Sequence, residues 1–405
     1  MKDRKIELLA PAGDMERLRM AVAYGADAVY FAGGQFGMRA FAGNFDREEL
    51  ARAVELCHAG GAAAHITCNT MPRNGEAGAI PEFLEYLESI GADAVILADL
   101  GVFEMAKKYA PHVKRHMSTQ AGITNYAAAR AWYELGAHRV ILARELSLEE
   151  IAEIRARVPG ELELETFAHG AMCVSYSGRC VLSNYMTGRD ANRGACAQPC
   201  RYSYALVEEK RPGEYFPVEE DGKGTYIFNS RDMCMLPHLE DLVKAGVDSV
   251  KIEGRAKSAY YTAAVTNAYR HGLDAALAGE PLDPVWLAEV DKTSHRPFST
   301  GFFYGYPGQY TGDSRYVRDW QVVAIVESCG EDGTAVLSLR NKITRGEALE
   351  LVGPGIEPVA FTVGEMEDLD GLPLPEVRVP QMKFRTKLPR QVKPLSILRA
   401  QRENS

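Results

Sequence analysis

A short phrase that recurs four times along the chain constrains its fold more than any other feature of the sequence. The phrase joins a glycine to a run of Val, Ile, Leu or Tyr, as in GADAVYF from Gly25 and GADAVIL from Gly91, and it returns at Gly136 and Gly246. Glycine after a helix supplies the left-handed turn that ends it, and an apolar run without alternation is typical of a strand buried in a parallel sheet. The sequence therefore predicts repeated β–α units.

Eight apolar runs of this kind occur in the first part of the chain, and helical patterns lie between the first seven. The runs begin at Ile6, Asp27, Ala63, Asp93, Val113, Arg139, Leu162 and Ser249. Eight strands that alternate with helices predict an α/β fold, a TIM (β/α)8 barrel over residues 1–300. An open doubly wound sheet is the alternative, but its GxGxxG fingerprint does not follow the first run.

The connection between the seventh and eighth runs is exceptionally long, from about residue 170 to residue 237. Connections of this length are usually functional, and the active sites of such barrels lie at the carboxyl ends of the strands. The connection holds all four cysteines of a local cluster, out of eight cysteines in the chain. We therefore expect this insertion to cover the barrel mouth.

The rest of the chain has a different composition. Residues 301–316 are rich in Gly and Tyr and are predicted to be a linker, and short β runs then predict a small all-β, barrel-like domain over residues 317–405. Its segment 383–402 carries seven Lys and Arg and no acid. Such a stripe can neutralise the phosphates of a nucleic acid, although a solvated surface strand explains it equally well.

The overall composition describes a folded protein with no general attraction for nucleic acids. Of 405 residues, 46% are hydrophobic and 25% charged, and the net charge is -9. The sequence suggests neither a signal peptide nor a membrane span, so we expect a cytoplasmic protein that does not bind membranes. In that reducing compartment clustered cysteines are more often metal ligands or nucleophiles than disulfides.

The clustered cysteines are Cys173, Cys180, Cys196 and Cys200, in CVSYSGRC and ACAQPC. Three residues separate the second pair, which suits structural zinc, but six separate the first pair, which does not. Four thiols in a Gly-rich segment also suit an iron–sulfur cluster. The spacing alone leaves a cluster, a zinc site and a catalytic thiol open.

The segment ETFAHGAMCVSYSGRCVLS, from Glu165 to Ser183, resembles the signature of the collagenase-like peptidase family of unknown catalytic type, the thirty-second of its class. The later segments RPGEY from Arg211, GTYIFNSRDMC from Gly224 and SVKIEGRAKSAYY from Ser249 resemble the same family. The resemblance covers nearly the whole chain and implies a barrel followed by a small β domain.

Within that family the chain is most similar to the group that makes 5-hydroxyuridine at the wobble position of tRNA without molecular oxygen. The resemblance implies tRNA as substrate, prephenate as co-substrate and a 4Fe-4S cluster on Cys173, Cys180, Cys196 and Cys200, with Cys234 as an alternate ligand. A related group hydroxylates a cytidine of 23S rRNA, and the family name keeps a peptidase as an alternative. A paralogous partner protein occurs in parts of the family.

The ends of the predicted strands supply the other candidate site residues. Glu165, His169 and Glu253 are candidates for catalysis, and a pair of His169 with Cys173 would serve the peptidase alternative. The two carboxylates of prephenate call for bidentate arginine contacts. The substrate-binding candidates are Arg39, Arg144, Lys251 and Arg255, for which salt bridges at the barrel rim are the structural alternative.

Overall fold

The computed structural model describes residues 5–38, 44–202, 230–308 and 319–401, and the backbone of residues 205–206 and 216–217. Eight parallel strands form a closed barrel, because the eighth strand pairs with both the first and the seventh. The predicted (β/α)8 fold is confirmed. The barrel strands, in order, are Glu7–Pro11, Ala28–Ala32, Ala63–Cys68, Ala94–Leu97, Lys114–Met117, Arg139–Ile141, Glu163–Ala171 and Ser249–Ile252.

Helices surround the barrel and begin and end where the sequence supplies caps. Asp46 and Glu49 form a reciprocal capping box at the start of one helix, and Ser147 and Glu150 do the same at another. The recurring glycine ends helices as expected: Gly136 has φ 107° and donates its backbone N–H to carbonyls of the last turn. The described α-helices are Met15–Ala23, Arg47–Ala59, Asn74–Ala77, Ile80–Ser89, Leu100–Tyr109, Tyr126–Leu135, Leu148–Arg157, Leu182–Thr187, Leu239–Ala245, Ala259–Ala278 and Pro284–Asp291.

The last part of the insertion adds a strand that the sequence did not suggest. Asp232–Cys234 pairs antiparallel with the carboxyl end of the seventh barrel strand. Phe298–Ser299 in turn pairs with Asp232–Cys234. A buried ion pair fixes this arrangement, because the Arg296 guanidinium donates to the Asp232 carboxylate over 2.6 Å. The insertion is therefore anchored to the barrel wall beside the seventh strand.

The predicted β domain is present as an antiparallel sheet of seven strands. The strand Ile397–Gln401 lies between Ala348–Val352 and Trp320–Cys329 within it. The remaining strands of this sheet are Thr334–Leu339, Val359–Thr362, Met366–Glu367 and Lys383–Lys387, and Ile343–Thr344 pairs separately with Glu376–Val377.

The β domain packs on the barrel through an interface that contains a buried arginine. Arg399 is fully buried and its guanidinium contacts the carboxylates of Glu289 and Glu350 and the hydroxyl of Tyr260. Apolar residues of both domains surround this contact, including Tyr24 and Ile397. The basic segment 383–402 is therefore not a uniformly solvated surface, because its Arg399 is buried at the interface between the two domains.

Among the helices that the structure describes, none combines the length and the apolar character that crossing a bilayer requires.

Candidate functional site

A cavity of about 720 Å³ lies over the barrel mouth. One wall is the cysteine-containing segment from Ala171 to Arg201, and another is the chain that leaves the eighth strand, from Glu253 to Tyr260. The β domain closes a further side with Trp320, Arg340 and Ile397. The insertion, the barrel and the β domain therefore each supply part of a space large enough for a small-molecule or nucleoside ligand.

All four clustered cysteines line this cavity. They are free thiols; Cys173 is exposed and the other three are half-buried. Burial raises the pKa of the Cys200 thiol to about 11; the Arg201 guanidinium opposes the rise and the thiols of Cys173, Cys196 and Cys180 add to it. The fold thus brings the two cysteine pairs of the sequence to one place.

The thiols do not meet at a point. Within the ranges that the structure describes, no three His, Cys, Asp or Glu side chains are arranged to hold a metal ion. An iron–sulfur cube binds its thiolates at four separate corners, so its ligands surround a wider space than the ligands of one ion do. Four soft thiols on the wall of one cavity fit the donor set of such a cluster.

Two glycines allow the cysteine segment to pass close to the barrel. Gly170 has φ 102°, and a Cβ there would lie 2.3 Å from the backbone oxygen of Glu253. Gly178 has φ 74°, and a Cβ there would lie 2.5 Å from the backbone oxygen of Gln120. Any larger residue would push the segment off the mouth, which gives a physical reason for both glycines of the motif.

Hydrogen bonds join the two halves of the cysteine segment. The Ser183 hydroxyl donates to the Arg189 carbonyl and accepts from the backbone N–H of Ala197, next to Cys196. The Asn192 side-chain amide donates to the Cys180 carbonyl over 3.1 Å. CVSYSGRC and ACAQPC therefore form one folded unit.

A smaller cavity of about 70 Å³ lies at the barrel mouth and shares lining residues with the larger one. It brings together three of the predicted substrate-binding residues, Arg144, Lys251 and Arg255, with the predicted catalytic residue Glu253. Arg144 donates to the Ser177 hydroxyl over 2.8 Å and to the Ala171 carbonyl, and Arg255 donates to the Thr67 hydroxyl. The remaining candidate, Arg39, lies outside the described residues.

Glu165 lies below the mouth inside the barrel and is fully buried. Its carboxylate accepts from the Lys251 ammonium over 2.8 Å and from the Arg139 guanidinium over 2.9 Å. Burial alone would raise the pKa of Glu165, but these two cations hold it below its usual value. The structure thus places Glu165 where it neutralises and positions Lys251, whose ammonium also lies 4.3 Å from the centre of the Tyr30 ring.

His169 and Cys234 lie away from the cavity. His169 packs against Tyr261, Tyr269 and Phe298, and burial lowers its pKa to about 3, although the Asp232 carboxylate opposes that change. Cys234 stands opposite His169 in the sheet, and burial raises the pKa of its thiol to about 11. Neither His169 nor Cys234 is among the residues that line the cavity of the four clustered thiols.

Some residues of the site gave no signal in the sequence. Trp320, Gln321 and Arg340 line the cavity from the β domain, which no local pattern relates to the barrel mouth. His65 and His116 are buried in the core, and their rings stack edge to face at 4.9 Å. Neither nitrogen of His116 has a hydrogen-bond partner among the described residues.

Comparison with known proteins gives matches across both domains. A family model described as "Peptidase family U32" matches residues 13–313, and one described as "Peptidase family U32 C-terminal domain" matches residues 318–399. The chain is 38% identical to "tRNA hydroxylation protein P1" of Bacillus subtilis (strain 168), over 98% of this chain and 95% of that protein. It is 36% identical to "tRNA hydroxylation protein P" of Escherichia coli (strain K12), over 92% and 91%. It is 34% identical to "23S rRNA 5-hydroxycytidine C2501 synthase" of the same strain, over 75% of this chain and 46% of that protein.

Proposed function

This chain belongs to peptidase family U32 over both its domains, and from that premise we propose that it is an RNA-modifying enzyme that hydroxylates tRNA. One observation carries the proposal: the similarity to two proteins named for tRNA hydroxylation extends through the barrel, the cysteine segment and the β domain. All three regions line the cavity over the mouth. Similarity that spans every wall of a site is a stronger guide to its substrate than similarity of one domain.

The reaction in this proposal converts the wobble uridine to 5-hydroxyuridine without molecular oxygen. Replacing the C5–H bond by a C5–OH bond removes two electrons from the base. With water as the source of oxygen, the half-reaction is C5–H + H2O → C5–OH + 2 e− + 2 H+. The two electrons have to pass to an oxidised co-substrate or to an external electron carrier. Glu253, which lines both cavities, is the carboxylate best placed to take the C5 proton.

The proposal assigns a 4Fe-4S cluster to Cys173, Cys180, Cys196 and Cys200. When bound, such a cluster supplies a redox-active centre or a Lewis-acidic iron. The thiols support this assignment because they line one cavity and none is used in a disulfide. The hydrogen bonds of Ser183 would keep the two pairs in register.

Prephenate is the co-substrate in this proposal, and the charge of the mouth supports it. Arg144, Lys251 and Arg255 line the small cavity, and within the described part of the chain Glu253 is the only acid among its lining residues. With Lys251 compensated by Glu165, two arginines face one carboxylate, and this excess of positive charge favours an anionic ligand. Because Glu165 neutralises Lys251 from below, the two arginines are the stronger candidates for the carboxylates.

Nucleoside mass spectrometry tests the activity. tRNA from a strain that lacks the gene should lose 5-hydroxyuridine and its derivatives, and a plasmid copy of the wild-type gene should restore them. The ribosomal RNA of the same cells is the internal control. Unchanged tRNA with an altered 23S cytidine would reject the tRNA proposal and favour ribosomal RNA.

Metal analysis tests the cluster separately. Protein purified without oxygen should contain iron and sulfide in equal amounts, and Cys173→Ser and Cys196→Ser should each lose most of both. Cys329→Ser, in the β domain, is the matched control. Cys234→Ser should retain iron, because that thiol is buried in the core and does not line the cavity of the other four. Zinc in place of iron would reject the cluster but not the activity.

The peptidase alternative has less support from the geometry. A cysteine peptidase needs a base beside its thiol, but His169 packs among three aromatic rings and does not line the cavity of Cys173. Cleavage of gelatin by the purified protein, lost in Cys173→Ala without loss of metal, would restore this alternative.

A further inference from the structure

Exposed large apolar side chains are concentrated on the cysteine segment. Five of the twelve in the described residues lie within residues 176–202. They are Tyr176 (48% exposed), Val181 (53%), Tyr185 (87%), Met186 (47%) and Tyr202 (48%). Single exposed apolar residues are ordinary, but a group of them on one short segment indicates a surface that binds something.

The same segment is positively charged in a chain that is negative overall. Residues 173–202 contain four arginines and one acid, a net charge of +3, whereas the chain carries -9. Arg179 is exposed and forms no ion pair with the described residues, while Arg193 pairs with Glu76. Arg189 is also exposed, and its guanidinium donates to the Ala195 carbonyl.

We propose that this surface binds the single-stranded nucleotides that flank the base entering the cavity. We name it the Tyr–Arg rim and define it as Tyr176, Arg179, Tyr185, Arg189 and Tyr202. The inference rests on the proposed function, because it takes the substrate to be RNA. The rim residues would hold the RNA strand, and they take no part in the proposed reaction or in binding the cluster.

Position supports this role for the rim. Tyr176 lines the cavity itself, and Arg179 is adjacent in sequence to the cavity-lining Cys180. A strand whose target base lies in the cavity would therefore cross the rim within a few nucleotides. Tyr185 lies on the short helix Leu182–Thr187 and is the most exposed of the three tyrosines, so its ring is available for contact from solvent.

The chemistry of the rim favours RNA over a protein partner. Aromatic side chains stack on unstacked bases whatever the sequence of the RNA, and arginines bind the neighbouring phosphates. A surface for a protein partner would need no excess of positive charge. The basic segment of the β domain is less suited to RNA, because Arg399 is buried and Lys383 and Arg385 are paired with Glu327 and Glu367.

Binding of fluorescently labelled tRNA to the full-length protein, measured by anisotropy, tests the inference. Tyr185→Ala should weaken binding by about 5- to 150-fold, the value of one stacked base, and Tyr185→Phe should not. Arg179→Gln should lower the slope of log affinity against log salt by about one. Leu372→Ala, an exposed apolar residue of the β domain, and Arg52→Gln, on a barrel helix, are matched controls.

The outcomes separate this inference from the proposed function. If the wild type hydroxylates tRNA, and Tyr185→Ala and Arg179→Gln bind and hydroxylate it equally well, the rim is rejected and the function stands. If the rim variants lose tRNA binding but tRNA of the deletion strain is unchanged, the rim stands and the function is rejected. If the wild-type protein binds no RNA and instead binds a protein partner through Tyr185, both the rim and the proposed function are rejected. Equal urea midpoints for all variants exclude unfolding as the cause.

Discussion

A cluster of charged side chains at the amino-terminal end of the barrel should contribute measurably to the free energy of unfolding. Arg139 is buried, and its guanidinium contacts Glu7, Glu163 and Glu165. Burial alone would raise the pKa of Glu7, but His65 and Arg139 together lower it to about 2. Since burial also lowers the pKa of His65, that ring is mostly neutral at pH 7 and Arg139 supplies the stabilising charge.

The substitution Glu7→Gln keeps the shape of the side chain and removes its charge. Lowering the pKa of a carboxyl from 4.5 to about 2 stabilises the folded state by about 3 kcal/mol at neutral pH. A neutral His65 contributes no charge at pH 7, so the stabilisation from Glu7 is somewhat smaller than this figure. We therefore expect the free energy of unfolding at pH 7 to fall by about 2 to 3 kcal/mol.

The sign of the pH dependence follows from the direction of the pKa change. The pKa of Glu7 is lower in the folded state, so its contribution is complete above about pH 4.5 and disappears as the pH falls towards 2. Urea unfolding, followed by tryptophan fluorescence, should show the full difference between wild type and Glu7→Gln at pH 7 and less than about half of it at pH 3.

The control is Glu82→Gln, whose partner Arg47 is on the surface. Both side chains are mostly exposed, so this change should cost less than about 1 kcal/mol at either pH. A loss below about 1 kcal/mol for Glu7→Gln at pH 7, or an equal loss at both pH values, would refute the account of the buried cluster.

Three further predictions concern the domain interface and the mouth. Arg399→Met removes one of the two cations paired with the buried Glu289 carboxylate, the other being Lys292, and should lower the free energy of unfolding by about 3 kcal/mol in urea. Gly170→Ala should destabilise by more than about 2 kcal/mol in the same assay, because its Cβ would contact the backbone; Gly160→Ala, with nothing within 4 Å, should not. Glu253→Gln should keep the unfolding midpoint but lower the rate of 5-hydroxyuridine formation at least about 100-fold in nucleoside analysis, and an unchanged rate would exclude Glu253 as the base.

The fold could be predicted because its signal is local and repeated. Each β–α unit carries its own glycine and its own apolar run, so all eight strands were found within a few residues of their bounds. The strand Asp232–Cys234 was not found. It has three residues, and it forms by pairing with the seventh strand rather than through its own pattern.

Only part of the candidate site could be predicted from the sequence. Residues that belong to a local motif or to a strand end could be named, whereas contacts between distant segments could not. The cysteines and the strand ends Arg144, Lys251 and Arg255 could be named from motif and position, and the structure gathers them around the mouth. The placement of His169 could not, because an irregular register between the seventh and eighth strands occurs at that residue. Contacts between distant segments leave no periodic trace in a sequence.

The position of Ile397 has a consequence for how the protein is made on the ribosome. This residue lines the cavity, and its strand lies between two other strands of the β-domain sheet. The barrel strands and all four clustered cysteines are synthesised long before it. The nascent chain can therefore form the barrel strands before the cavity has its β-domain wall, which is complete only after the strand Ile397–Gln401 has been translated.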